Sequence, residues 1–290
     1  MYGQEFLNLC AKGEPREVEA AIKGGVDINA KNEYDATALM FAAEKNPNLE
    51  VASLLVENGL DTNAKDKSGA TALMLAAEKN SNLDIILLLI ENGADVNAKD
   101  KNGETALMSA ARKNPNHGAI SFLLTNGANI NAKDQDGRTV LIYAAGSNPN
   151  IEIISLLLKS GANVNAKTKD GMTALMSAAT ENSNPEVIAL LLKNGADINA
   201  KDKYGTTALM WAAGYNSNPE SIALLLKNGA DALIKDREGK RAIDYIRWNN
   251  RLKNAEILKQ LQEATPRDSF GMLQKVSLLL FGYKDYMPTL

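Results

Sequence analysis

Histidine and cysteine occur once each in this 290-residue chain, as His117 and Cys10. A lone thiol builds no internal disulfide framework. A lone imidazole, with no second ligand recurring near it, supports neither a metal centre nor a nucleophile–base pair. A net charge of −3 withholds the basic surface that non-specific nucleic-acid binding needs. The longest uninterrupted apolar run, Ile85 to Ile90, is far too short to span a bilayer. The opening MYGQEFLNLCAKG lacks the basic and then apolar regions of a signal peptide as given. These absences point to a reducing, cytoplasmic setting and to no cofactor, metal, nucleic acid or membrane as partner. Export after removal of a leader, or secretion as an effector, stays open. Aromatic residues make up only 5% of the chain, so a cluster of them carries information.

What the sequence has is repetition. Thr-Ala-Leu-Met begins at Thr37, Thr71, Thr105, Thr173 and Thr207, with Thr-Val-Leu-Ile at Thr139, always at multiples of 34 residues. Aligned on that period, the chain becomes a set of columns. One holds Leu39, Leu73, Leu107, Leu141, Leu175 and Leu209, with Ile243 continuing it. Alanine pairs follow, from Ala42-Ala43 to Ala212-Ala213, and read as a short helix that a neighbour can approach closely. The threonine suits its N-cap. An Asn-Pro/Ser-Asn turn comes next, as at Asn80-Ser81-Asn82. Its first Asn is expected to close the helix with a left-handed backbone, and its second to cap the helix that follows. That second helix carries Leu-Leu pairs such as Leu88-Leu89 and stops at Gly59, Gly93, Gly127, Gly161, Gly195 and Gly229 as C′ glycines. An Ala-Asp-x-Asn-Ala-Lys-Asp segment then makes a projecting turn. Leu73, Ala76 and Leu88 are the expected core slots.

One such unit cannot bury its apolar side alone, so the copies are expected to stack with contacts only between neighbours. The columns resemble the ankyrin repeat, whose Thr-Pro-Leu-His-x-Ala pattern, two helices and β-turn match TALMLAA at Thr71 to Ala77 and Gly-Ala-Asp at residues 93–95 and 195–197. The family's Pro is alanine here, as at Ala72. Its His is methionine, as at Met74, so apolar packing is expected in place of the histidine's hydrogen bonds. The resemblance implies an all-α repeat fold, an ankyrin-type solenoid of helix-turn-helix units with projecting β-turn loops. It covers residues 1–264, about seven repeats and a charged C-terminal capping half-repeat. Residues 265–290 match no repeat and are expected to form a helical extension over the last one.

Most conspicuous residues have plain readings. Cys10 sits in a core column as an inert thiol, the methionine column fills core volume, and the Lys-Asp pairs of the loops make a solvated face. One column varies widely in size: Phe41, Leu75, Ser109, Tyr143, Ser177, Trp211 and Tyr245. The resemblance places it on the first helix, facing a concave surface. Tyr34 and Tyr204 on the loops and Tyr215 at a helix end lie nearby. The expected recognition residues are therefore Tyr34, Phe41, Tyr143, Tyr204, Trp211, Tyr215 and Tyr245, since Tyr and Trp dominate binding hot spots. The resemblance implies a non-enzymatic, monomeric module that binds a protein partner. The alternative is a targeting or regulatory subunit of a separate enzyme or toxin, attached through residues 265–290.

Overall fold

A computed structural model describes residues 3–80, 82–113, 117–246, 249 and 255–265. The expected helical extension therefore lies, but for its first residue, outside the described residues. The described chain holds sixteen α-helices that alternate between two roles. The first helices of the copies are α1 (Gly3–Lys12), α3 (Ala38–Lys45), α5 (Ala72–Lys79), α7 (Ala106–Lys113), α9 (Val140–Ser147), α11 (Ala174–Glu181), α13 (Ala208–Tyr215) and α15 (Ala242–Tyr245). The second helices are α2 (Pro15–Lys23), α4 (Leu49–Glu57), α6 (Leu83–Glu91), α8 (His117–Thr125), α10 (Ile151–Lys159), α12 (Glu186–Lys193), α14 (Pro219–Lys227) and α16 (Ala255–Glu263). Among the described residues there is no β-sheet; extended pairing is limited to a single bridge between Lys31 and Thr37.

The chain forms two compact units, residues 1–144 with 152–163, and residues 145–151 with 164–290. In the first unit α1, α3, α5 and α7 pack side by side, α2, α4, α6 and α8 form a second layer, and each first helix packs on its own second helix. The second unit repeats this with α11, α13 and α15 in one layer and α12, α14 and α16 in the other. The leucine column and the alanine pairs are fully buried between layers. In the second helices the buried set is Ile85, Ile86 and Leu89, while Leu88 is only half-buried. The expected core slot is thus one residue off. A helix buries the stripe that its 3.6-residue period turns inward, and residue 89, not 88, continues the stripe from 85 and 86.

Local chemistry sets the helix ends. Thr37, Thr71, Thr173 and Thr207 are extended N-caps whose hydroxyls accept from the backbone amides of Met40, Met74, Met176 and Met210. The methionines do more than fill volume. Met40 Sδ accepts from the Thr37 amide at 3.4 Å and Met210 Sδ from the Thr207 amide at 3.5 Å, so a weak sulfur acceptor serves the cap. The six C′ glycines all have positive φ, as expected.

The first Asn of four of the turns behaves differently from the sequence expectation. Asn46, Asn80, Asn182 and Asn216 are extended, with φ between −95° and −69°. Their side chains, buried to 2–4% exposure, hold the preceding copy instead. Asn80 Nδ2 donates to Ala43 O at 2.8 Å and Asn46 O at 3.1 Å, while its Oδ1 accepts from the Asn82 amide at 2.9 Å. Asn182 makes the same three bonds, to Ala145 O, Asn148 O and the Asn184 amide.

The loops form a second ladder. Asp66 Oδ1 accepts from the amides of Ser68 and Ala70, which closes the turn. Each tip then bonds to the next: Lys67 N donates to Tyr34 O, Lys101 N to Ser68 O and Gln135 N to Asn102 O in the first unit, and Lys203 N to Asp170 O and Arg237 N to Tyr204 O in the second. Lys65 Nζ donates to Lys99 O and Lys99 Nζ to Lys133 O, so these lysines are tied to backbone rather than free in solvent. This close approach needs glycine. A Cβ on Gly103 would lie 2.9 Å from Gln135 N, whereas one on Gly93 would meet nothing within 4 Å, although both residues have positive φ. In the first loop the same position is Asp35, held at φ 61°.

These differences predict a graded series. Gly93→Ala should cost about 1–2 kcal/mol from its backbone conformation alone. Gly103→Ala should cost clearly more, roughly 3 kcal/mol, because the loop ladder must also open. Asp35→Gly should stabilise by about 0.5–1 kcal/mol. Urea denaturation of the three variants checks the order, and equal losses for the two alanine variants would contradict the loop ladder.

Candidate recognition surface

The seven aromatic residues fall into two groups. Tyr34, Tyr204 and Tyr215 are exposed to 63%, 56% and 54%. Phe41, Tyr143, Trp211 and Tyr245, in one column of the first helices, are each half-buried. Tyr34 and Tyr204 stand at loop tips, each with its backbone amide bonded to the residue two before it, Asn32 or Asp202. The tip backbones are therefore hydrogen-bonded although their rings are exposed.

The helix column is tied to those loops. Tyr143 Oη donates to Asp134 Oδ2 at 2.7 Å, Trp211 Nε1 to Asp202 Oδ2 at 3.1 Å and Tyr245 Oη to Asp236 Oδ2 at 2.6 Å. The spacing is nine residues each time. One carboxylate oxygen closes the turn and the other receives the ring, so the ring's polar edge braces the loop against its helix. Ser109 and Ser177 show that the column also accepts a small side chain, in which case the brace is absent.

Around Tyr143 the brace becomes a charged cluster. Glu104 Oε1 lies 3.0 Å from the same phenol oxygen, and Arg112 holds both oxygens of Glu104 at 3.3 and 3.0 Å. The guanidiniums of Arg112 and Arg138 sit 5.5 and 5.8 Å from the Tyr143 ring centroid. Burial, reinforced by the bond to Asp134, pushes the Tyr143 phenol well above its ordinary range. Burial and the bond to Asp236 push Tyr245 up to about 12.

Two of the seven rings are brought into direct contact. Trp211 and Tyr215, one turn apart on α13, have centroids 5.3 Å apart with planes at 36°. Tyr245 comes up against the same helix, its Cδ1 3.3 Å from where a Cβ on Gly214 would be. Tyr34 and Phe41 share a copy in the first unit without such a pairing, and Phe41 carries Lys45, whose Nζ is 5.3 Å from the ring centroid. The aspartates of the brace, Asp134, Asp202 and Asp236, are site residues that column reading passed over. Their signal was the fixed nine-residue interval to each ring.

Cys10 is fully buried and burial pushes its thiol up to about 12, and His117 is exposed at the start of α8. Among the described residues no group of histidine, cysteine and acidic side chains could hold a metal ion. No described helix is long and apolar enough to cross a membrane.

Paired helices, a 34-residue period and bonded β-turn tips describe one known architecture. The family model for ankyrin repeats in three copies matches at residues 7–100, 82–168, 107–202, 143–236 and 175–268, together spanning 7–268. The chain belongs to the ankyrin-repeat family. Ankyrin repeats generally serve as protein–protein interaction modules, and proteins built from them are typically non-enzymatic scaffolds. No curated protein matches the chain. Within the ankyrin pattern this chain departs by carrying methionine where the family has histidine, and at Met40 and Met210 the sulfur accepts from the capping threonine's amide.

The brace can be tested at its last copy. Tyr245→Phe removes one bond to a carboxylate and should cost about 1–2 kcal/mol at neutral pH. Burial raises the Asp236 carboxyl, but the bonds from Tyr245 and from the amides of Lys240 and Glu238 outweigh it, leaving the group below its ordinary value. A depressed carboxyl stabilises the fold above its unfolded value and loses that contribution as pH falls through the folded one. The penalty of Tyr245→Phe should therefore shrink below about pH 4. A penalty unchanged down to pH 2, followed by urea denaturation, would contradict the brace.

Proposed function

We propose that the protein is a non-enzymatic binding module that holds a protein partner against its loop tips and first helices. The observation that carries this is the exposure of Tyr204 and Tyr215 on either side of Trp211 in one copy. Other copies fill the Tyr204 position with Ser68, Asn102, Asp136, Asp170 and Glu238, and the Tyr215 position with Lys45, Lys79 and Glu181. The stack does not require a ring at either place. A solvent-facing ring with no structural duty is a cost that binding offsets, because aromatic anchors supply large contact area with few rotors to freeze.

Tyr34 extends the reading to the first unit, where it occupies the Tyr204 column. Tyr143, Tyr245 and Phe41 take a lesser part. The first two spend their polar edges on the loops, and Phe41 is covered by Lys45. Residues 1–264 make the module in this proposal, and the chain acts as a monomer.

The test uses Tyr34→Ser, Tyr204→Ser and Tyr215→Ser combined. None of these side chains is buried, so the melting temperature should stay within a few degrees of wild type. Affinity for a partner that has been captured, identified and purified should fall by about 30-fold or more, the equivalent of roughly 2 kcal/mol at one hot-spot residue. Calorimetric titration showing undiminished affinity for the triple variant would remove these rings from the interface.

A further inference from the structure

The roots of the loops are joined by a ladder of side-chain carboxamides. Asn63 Nδ2 donates to Gly93 O at 2.7 Å, and Asn63 Oδ1 accepts from the Asp95 amide at 2.7 Å. Asn97 and Asn131 repeat both bonds in the first unit, and Asn165 does so in the second. A row of lysines runs beside them, with Lys65 Nζ on Lys99 O and Lys99 Nζ on Lys133 O. The first junction has neither rung. By position Asn29 should bond to Gly59 O and to the Asp61 amide, and Lys31 to Lys65 O. Among the described residues none of these bonds is made. The Asn29 carboxamide, the Lys31 ammonium, Gly59 O and the Asp61 amide have no other hydrogen-bond partner there.

The two loops part at their roots alone, since Lys67 N still donates to Tyr34 O at 2.8 Å. Where the rungs are missing there is a cavity of about 150 Å³, lined by Ile28, Asn29 and Lys31 of the first loop and by Leu60, Asp61 and Ala64 of the second. Leu60 stands where the following copies carry alanine, as at Ala94. It is buried, whereas Asn29, Lys31 and Asp61 are exposed. The cavity and the broken ladder are separate observations that fall on the same residues.

The lining calls for a neutral side chain that both donates and accepts. Lys31 and Asp61 border one space without forming an ion pair, so a ligand charge of either sign would meet its like there. The Asn29 carboxamide and the Asp61 amide offer two donor groups, and Asn29 Oδ1 and Gly59 O offer two acceptors. A primary carboxamide has two N–H donors and an oxygen with two lone pairs, and it answers all four. Water would serve the polar groups but would leave the Ile28 and Leu60 side of the cavity without an apolar partner. A cavity of this size takes about six heavy atoms, close to the five that a glutamine side chain carries beyond its Cα.

We propose that the cavity between the first and second loops receives a glutamine side chain of the protein partner. Its carboxamide takes the place of the missing rung and its methylenes lie against Ile28 and Leu60. This rests on the binding-module reading and adds an anchor in the first unit with its own chemistry.

The experiment is a titration of the isotope-labelled full chain with N-acetyl-glutamine-N-methylamide, beside the glutamate and leucine compounds, which share its backbone amides. The backbone amide of Asp61 and the side-chain amide of Asn29, assigned by its loss in Asn29→Ser, report the site. Asp95 and Asn63, whose rung is intact, are the internal reference. The expected result is a saturable shift at Asp61 and Asn29 with the glutamine compound, little at Asp95 and Asn63, and weaker responses to glutamate and leucine. Asn29→Ser removes an exposed side chain with no bond to lose and should weaken binding by roughly 2–10-fold, read at Asp61. An unmoved Asp61, equal shifts at Asp95, an equal response to glutamate or leucine, or undiminished affinity in Asn29→Ser would each overturn the inference. Selection of displayed peptides on the full chain separates the two readings. Winners without glutamine that still need Tyr34, Tyr204 and Tyr215 leave the binding module standing without this anchor, and winners indifferent to those rings and to Asn29 remove both.

Discussion

Among the described residues, buried primary amides join copies to the ones before them within each unit. Asn80 reaches back to Ala43 O and Asn46 O and forward to its own Asn82 amide. Asn182 repeats the geometry in the second unit, and Asn249 donates to Ala213 O and Asn216 O in the last copy. Helix C-termini leave carbonyls without intrahelical partners, and burying them unpaired is expensive. The asparagine solves this for the preceding helix while fixing the start of its own second helix. Apolar burial between alanine pairs is non-directional and would tolerate sliding; the amide sets the register. The ankyrin repeat has a period of 33 residues, and the extra residue of this chain's 34-residue period lies in this turn.

Once register is fixed, the loops follow. Their tips bond copy to copy, the glycines allow the backbones to meet, and in three of the turns an aspartate gives its second oxygen to a ring of the helix column. Tyr143, Trp211 and Tyr245 thereby brace the loop. Tyr34, Tyr204 and Tyr215 carry no such duty.

Much of this was legible from the residues. Threonine caps, C′ glycines and the leucine column are local signals, fixed by backbone geometry within one turn, and the structure places them as read. The misreadings have a common cause. Asn46 and its equivalents were assigned to a left-handed backbone because a sequence shows what a residue can do to its own chain. What they do lies 33 to 37 residues away in another copy. Met40 was read as packing because its weak sulfur bond to Thr37 is a geometric detail that composition does not carry. Leu88 and Leu89 recur equally well, and periodicity alone did not separate the buried one from the half-buried one. The brace from Asp202 to Trp211 lay in plain view as a nine-residue interval, but single-column reading compares equivalent positions across copies and passes over pairs within a copy.

The claim that the buried amide governs the stack is tested most directly by two asparagines in the same unit. Asn97 also bridges neighbouring copies, donating to Gly127 O at 3.0 Å and accepting from the Asn129 amide at 2.8 Å, but it does so in exposed surroundings. Water can replace Asn97 and cannot reach the groups that Asn80 serves. In urea denaturation, Asn80→Ala should lose about 3 kcal/mol or more, since it strands two carbonyls in the interior and leaves a half-buried amide unpaired, and Asn97→Ala about 1 kcal/mol. Losses equal within about 0.5 kcal/mol would show that burial of the amide is not what holds the copies in register.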